Sequence, residues 1–213
     1  MIRTVIFDLD GLLADTEKLH RRTYQETLGE FGIELSDEQY EDHWIRRGMG
    51  IAEFTSQNNL SIDPDLIRSI KTSRYDNLVR SSVDPMPGAI SLLSRLKNRR
   101  TLGLATSSYR NSVEIVLSTL GIADCFSCIA TKESVSRVKP FPDIFLYAAR
   151  ELNTLPVHCL VLEDAEKGIL AAEAAGMKSI AVPNIYTVHN DFSKATIVLP
   201  TLEDVTLELI EEL

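Results

Sequence analysis

Two acids two residues apart, Asp8 and Asp10, follow the apolar run Thr4-Val5-Ile6-Phe7, and Gly11 comes directly after them. A second acid pair, Glu163-Asp164, closes another apolar run, Leu160-Val161-Leu162. Taken alone, the first pair reads as one acid capping a loop and one in solvent. Together the two pairs bring up to four carboxyls to one edge of a sheet. Like charges at that range repel and raise their own pKa values unless a cation sits among them. A hard oxygen site of few carboxylates and several waters suits Mg²⁺, which also bridges to phosphate oxygens. Thr106, after the run Thr101-Leu102-Gly103-Leu104-Ala105, adds a hydroxyl, and Lys139, before Pro140, adds a point positive charge. These are the parts of phosphoryl transfer: a nucleophile, a Lewis acid and a charge clamp.

Short buried strands must deliver these groups. The runs at 4–7, 101–105, 160–162 and 179–182 are apolar and end in polar or turn residues, the pattern of strands buried on both faces. Helical spacing fills 88–98, 111–120, 141–153, 165–176 and 203–212. Strand and helix alternate, which predicts an α/β fold with a Rossmann-like, doubly wound parallel sheet. Residues 15–81 break the alternation. They show helical spacing without strand signals, through Leu19, Tyr24, Leu28 and Phe31, then Tyr40, Trp44 and Ile45, then Leu66, Ile67 and Ile70. The expected division is a core of 1–14 and 82–213 with an α-helical cap, 15–81, inserted after the first strand. A cap there would cover the carboxyl ends of the strands, where open α/β sheets bind ligands.

Composition narrows the function classes. The chain has 213 residues, 22 Lys+Arg against 31 Asp+Glu, and a formal net charge of −9. An acidic balance without a basic block argues against nucleic acid and against anionic membrane surfaces as partners. No run is long enough for a transmembrane helix, and the amino-terminal residues do not read as a signal peptide. Three cysteines do not make a disulfide framework, so the expected compartment is the reducing cytoplasm. Cys125 and Cys128 have CxxC spacing, but a zinc site would need a second pair of ligands, and they read as structural thiols. A monomer is expected, because no apolar surface stripe stands out.

The motifs together resemble the haloacid dehalogenase superfamily. Asp8-Leu9-Asp10-Gly11 is similar to its first motif, Thr106 to the second and Lys139-Pro140 to the third. Glu163-Asp164-Ala165-Glu166-Lys167-Gly168 resembles the fourth. The resemblance implies that Asp8 attacks phosphorus, that Asp10 protonates the leaving oxygen and then activates water, and that Thr106 binds the phosphoryl group. It implies that Lys139 offsets charge at the nucleophile. Mg²⁺ would be held by Asp8, Asp10 (through its carbonyl), Glu163 and Asp164. The second acid of the first motif is absent from the dehalogenases, so Asp10 points to phosphate chemistry.

The inserted segment resembles the cap of the β-phosphoglucomutase-like branch, with Asp15-Thr16-Glu17-Lys18-Leu19-His20 as its opening. Thr16 and His20 are therefore expected to bind substrate, with Ser107, Ser108 and Arg74. A mutase must clamp two phosphates. Ile51 falls near where the resemblance expects a cap arginine, and no lysine follows Thr106, although Arg46, Arg47, Arg74 and Arg110 are available. The reading is a Mg²⁺-dependent phosphatase of a small phosphorylated metabolite, a sugar or polyol phosphate. A phosphosugar mutase is the alternative, and a non-catalytic phosphometabolite-binding regulator the third. Lys18 and Lys71 are expected to face solvent.

Overall fold

Four short runs that are buried at nearly every position become the middle of a parallel sheet, because strands covered on both faces leave little room for polar alternation. The computed structural model describes residues Met1–Leu213. In chain order the elements begin with β1 (Thr4–Phe7), followed by the helices α1 (Glu17–Gly29), α2 (Asp37–Tyr40), α3 (Ile51–Gln57) and α4 (Pro64–Ser82). Next come α5 (Ala89–Leu96), β2 (Thr101–Ala105), α6 (Arg110–Leu120), β3 (Cys128–Ala130), α7 (Asp143–Glu151) and β4 (Cys159–Glu163). The chain ends with α8 (Glu166–Ala174), β5 (Lys178–Ala181), β6 (Ile197–Val198) and α9 (Leu207–Glu212).

The sheet order is β3-β2-β1-β4-β5-β6, and every pairing is parallel. This is an α/β, Rossmann-like doubly wound sheet. The chain winds outward from β1 through β2 to β3, then returns to β4 and winds the other way. The order reverses between β1 and β4, which is where such sheets open a crevice at their carboxyl ends. Phe7 pairs with both Leu104 and Leu162, so Asp8, just beyond β1, lies level with Ala105 and Glu163 at the ends of β2 and β4. That register sets the site.

On one face, Ile6, Ala105, Ala130 and Val161 pack with Ile144, Phe145, Ala148 and Ala149 of α7 and with Ala171 and Ala172 of α8. The residues alternating with them, Val5, Phe7, Leu102, Leu104, Leu160 and Leu162, are buried as completely, so both faces are covered. Two strands escaped the sequence reading. β3 and β6 are three and two residues long, only partly buried, and lie at the two edges, where short strands carry little apolar signal. The expected final helix at 203–212 is a 3₁₀ turn, Leu202–Asp204, followed by α9. Thr206 divides the two, because its hydroxyl accepts from the Leu209 N–H and starts a new helix.

The chain separates into two compact units, Met1–Asp15 with Asp84–Leu213, and Thr16–Val83. The second unit is helical and has its own core of Leu28, Leu35, Tyr40, Ile51, Phe54 and Ile67, flanked by Tyr24 and Trp44. Ser36 and Gln39 close a capping box at α2, and the Asp63 carboxylate caps α4 ahead of Pro64. Where the chain leaves and rejoins the first unit, the two segments are zippered together. The Asp15 N–H donates to the Asp84 carbonyl (2.9 Å), the Met86 N–H to the Leu13 carbonyl (3.0 Å), and Ala14 forms an antiparallel bridge with Pro85. No helix is long and apolar enough to cross a membrane.

Candidate active site

Asp8 is the first residue beyond β1, and its N–H still donates to the Leu162 carbonyl, so the strand register fixes its backbone. Its side chain is buried and meets Lys139, whose Nζ lies 2.5 Å from Asp8 Oδ1, 2.5 Å from Glu163 Oε1 and 2.8 Å from the Ala105 carbonyl. An ammonium has three N–H donors, and here all three are committed. The lysine thus ties the ends of β1, β2 and β4 together and grips the nucleophile candidate through one oxygen, leaving Oδ2 outside its hold.

Glu163 is nearly inaccessible, and its second oxygen accepts from the N–H groups of Asp164 (3.2 Å) and Ala165 (3.3 Å). The carboxylate fits only because position 168 carries no side chain. A Cβ on Gly168 would fall 1.9 Å from the Glu163 carboxyl carbon. This glycine, in the first turn of α8, is therefore an element of the site.

Three carboxylates, Asp8, Glu163 and Asp164, each place an oxygen within 4.8 Å of the others, and all three are buried. Only Lys139 opposes them at contact distance. Burial, the largest effect, raises the Asp8 pKa to about 7 against the pull of Lys139, with Glu163 and Asp10 adding to the rise. Asp164 is raised as well, by burial first and then by Glu163 and Asp8. For Lys139 burial acts downward, but Asp8 and Glu163 outweigh it and the net shift is upward. Fully ionised, three carboxylates against one ammonium leave two uncompensated negative charges, which a divalent cation would cancel. The donors are all hard oxygens, so the residues fit Mg²⁺.

Asp10 lies in different surroundings. Its Oδ2 accepts from Ser108 Oγ (2.6 Å) and Thr106 Oγ1 (3.2 Å), and the Ser108 N–H donates to Thr106 Oγ1 (3.1 Å). The Ser107 hydroxyl is buried without a hydrogen-bond partner, the kind of orphan that a bound oxyanion would satisfy. The structure thus brings together Asp8, Lys139, Glu163 and Asp164, and separately joins Asp10 to Thr106 and Ser108.

Thr16, His20 and Arg74 belong to the helical unit. Thr16 is fully buried, with its carbonyl accepting from the N–H groups of Leu19 and His20. The His20 ring stacks on Tyr75 at 4.1 Å, and Lys71 Nζ lies 2.5 Å from its Nδ1 and over the rings of Tyr24 and Tyr75. Lys71 is buried, against the expectation that it faces solvent. The signal was present, because Ile67, Lys71, Tyr75 and Val79 form a four-residue-spaced buried stripe along α4. Arg74 pairs with Glu30. Cys125 and Cys128 are half-buried free thiols, and Cys159 is buried.

Asn184 was missed altogether. Its Nδ2 donates to Asp164 Oδ2 (2.8 Å) and to the Gly11 carbonyl (3.0 Å). A single asparagine in the loop after β5 carries no spacing signal, and only the fold brings it to the acids.

The haloacid dehalogenase-like hydrolase family model matches residues 5–182. CbbY of Rhodobacter capsulatus is 32% identical over 225 residues, covering 100% of this chain and 99% of that protein. The fructose-1-phosphate phosphatase YqaB of Escherichia coli is 32% identical over 183 residues, 84% of this chain and 95% of its own. The β-phosphoglucomutase of Bacillus subtilis is 32% identical over 225 residues, 99% of this chain and 95% of its own. A solved structure of a CbbY variant from Rhodobacter sphaeroides in complex with xylulose-(1,5)bisphosphate superposes with a TM-score of 0.86 at 30% identity, covering 96% of each chain. With the family model and these relatives spanning the strand-end motifs, the chain belongs to the haloacid dehalogenase-like hydrolase family.

Proposed function

We propose that the protein is a Mg²⁺-dependent phosphatase that hydrolyses a small phosphorylated metabolite, a sugar or polyol phosphate, through an aspartyl phosphate on Asp8. The observation that carries this reading is the separation of the two neighbouring acids. Asp8 is buried and gripped by Lys139, whereas Asp10, two residues on, accepts the hydroxyls of Ser108 and Thr106. Two carboxyls in different surroundings are what a nucleophile and a separate acid/base require.

Bound beside Asp8, Asp164 and Glu163, with the Asp10 carbonyl, Mg²⁺ would polarise phosphate oxygens and cancel local charge. Asp8 attacks phosphorus while the bond from phosphorus to the leaving oxygen breaks, and Asp10, in its acid form, gives that oxygen a proton. Asp10 then takes a proton from a water that attacks the same phosphorus. The Asp8–phosphorus bond breaks, inorganic phosphate leaves, and Asp8 returns as a carboxylate. Lys139 keeps its proton throughout and offsets charge at Asp8. The hydroxyls of Thr106 and Ser107 serve the phosphoryl oxygens. Thr16 and His20 of the helical unit are part of the proposal as substrate contacts.

Hydrolysis is favoured over phosphoryl transfer between two positions of one sugar, because a mutase needs a second anion clamp. Of the four candidate arginines, Arg47, Arg74 and Arg110 are engaged by Asp42, by Glu30 and by the Ile129 carbonyl, Arg46 lies exposed, and Ile51 is buried in the core of the helical unit. The names of YqaB and of the CbbY complex support a sugar phosphate as the substrate class. The test is inorganic phosphate release across sugar, polyol and nucleotide phosphates with Mg²⁺, with EDTA, and with Asp8→Asn. Mg²⁺-dependent release that Asp8→Asn abolishes is expected. Conversion of glucose 1-phosphate to glucose 6-phosphate without net release would make the protein a mutase. Binding without turnover would make it a regulator.

A further inference from the structure

We infer that Asn184 is a positioning residue for the acid cluster, acting through its side-chain amide as a clamp between the Asp8–Gly11 turn and Asp164. The inference rests on the Mg²⁺-dependent reading above. The amide is fully used, and its orientation follows from its partners. Oδ1 accepts from the N–H groups of Tyr186 (2.8 Å) and Thr187 (3.3 Å), so Nδ2 must be the atom that faces Asp164 Oδ2 and the Gly11 carbonyl. The Asn184 N–H donates in turn to Thr187 Oγ1 (3.1 Å).

The far end of the same loop is also pinned. Asn190 Oδ1 accepts from the Glu166 N–H (3.1 Å), and the Asp191 N–H donates to Glu166 Oε2 (3.3 Å). The loop therefore grips the segment Asp164–Glu166 at two places, and through Asn184 it also reaches across to the turn after β1. Gly11 leaves room for it. At φ +81°, a Cβ there would lie 2.5 Å from Asp164 Oδ2 and 2.7 Å from Asn184 Nδ2. One donor group thus adds a second bridge between the two acid-bearing strand ends, besides Lys139, and orients one oxygen of Asp164. Groups that orient ligating carboxylates in this way typically change metal affinity 10- to 100-fold when removed, on the order of a strong functional effect.

Two variants separate this role from simple support of the loop. Asn184→Ala removes both the donor and the acceptor. Asn184→Asp keeps an acceptor for Tyr186 and Thr187 but sets a carboxylate oxygen against Asp164. The readouts are Mg²⁺ binding by calorimetry on the full chain, hydrolysis of p-nitrophenyl phosphate, and far-ultraviolet circular dichroism to establish folding. The expected result is Mg²⁺ binding weakened about tenfold or more in Asn184→Ala, and kcat lowered in both variants with the folded spectrum retained at least by Asn184→Asp. A folded Asn184→Ala with the Mg²⁺ affinity of the unaltered chain overturns the inference, and so does Asn184→Asp with the kcat of the unaltered chain, whether or not Asn184→Ala folds. If the unaltered chain takes up no Mg²⁺, the metal-dependent reading itself fails and the inference falls with it.

Discussion

Asp8 and Asp10 differ in what holds them more than in what they are. One is enclosed with two other carboxylates and a lysine, and the other sits under two hydroxyls. Enclosure has a thermodynamic signature. The Asp8 pKa, at about 7, stands above the 3.8 of an ordinary aspartate, and Asp164 shifts the same way. Between those values the folded chain keeps a proton that the unfolded chain gives up, so stability declines as pH rises through that window. In EDTA, the melting temperature is expected to fall between about pH 4 and about pH 7, and Mg²⁺ should flatten the fall by favouring the ionised carboxyls. The same pH dependence in Asp8→Asn as in the unaltered chain, both in EDTA, would rule out a raised carboxyl at Asp8. The activity counterpart is an acid limb near pH 7 at low Mg²⁺ that moves to lower pH as Mg²⁺ saturates.

At the scale of elements, the first turn of α8 is as much a part of the site as the strand ends. Gly168→Ala would drive a methyl group into the Glu163 carboxyl, displacing the acid or the helix. Overpacking of this kind costs on the order of 1–3 kcal/mol, and moving Glu163 also removes one of the three acceptors of Lys139. Urea denaturation and phosphate release should therefore fall together, with activity down at least about tenfold. Stability lost with activity kept would separate the glycine from the site. The four central strands were legible because double burial leaves them short, largely apolar runs, and the polar ends of three of them marked Asp8, Thr106 and Glu163. β3 and β6 were not, being short edge strands of mixed exposure. Lys71 was misread because residue type was weighed above its place in a buried stripe. Gly168 stood inside a recognised motif, but the reason for a glycine there is a contact that no spacing reveals. Asn184 is legible only once β5 lies beside β4.

For the whole molecule, the two chain crossings between the units have a consequence for how such a protein can be cut. The exit at Asp15 and the re-entry at Asp84 are one hydrogen bond apart, and Leu13–Met86 and Ala14–Pro85 hold them in antiparallel register. An insertion whose ends meet places no demand on the threading of the sheet, so the 68 residues Thr16–Val83 form a cassette. Joining Asp15 to Asp84 through a short glycine-containing turn should leave a chain that still folds around β1, β2 and β4. Far-ultraviolet circular dichroism and cooperative urea unfolding of the excised chain would show it, and a molten or aggregated product would mean that the sheet depends on the insert. The same doorway lets one segment be exchanged for another of different length without disturbing Asp8, Lys139 or Asp164. In a molecule built this way, the inserted segment and the strand-end residues can change in sequence separately.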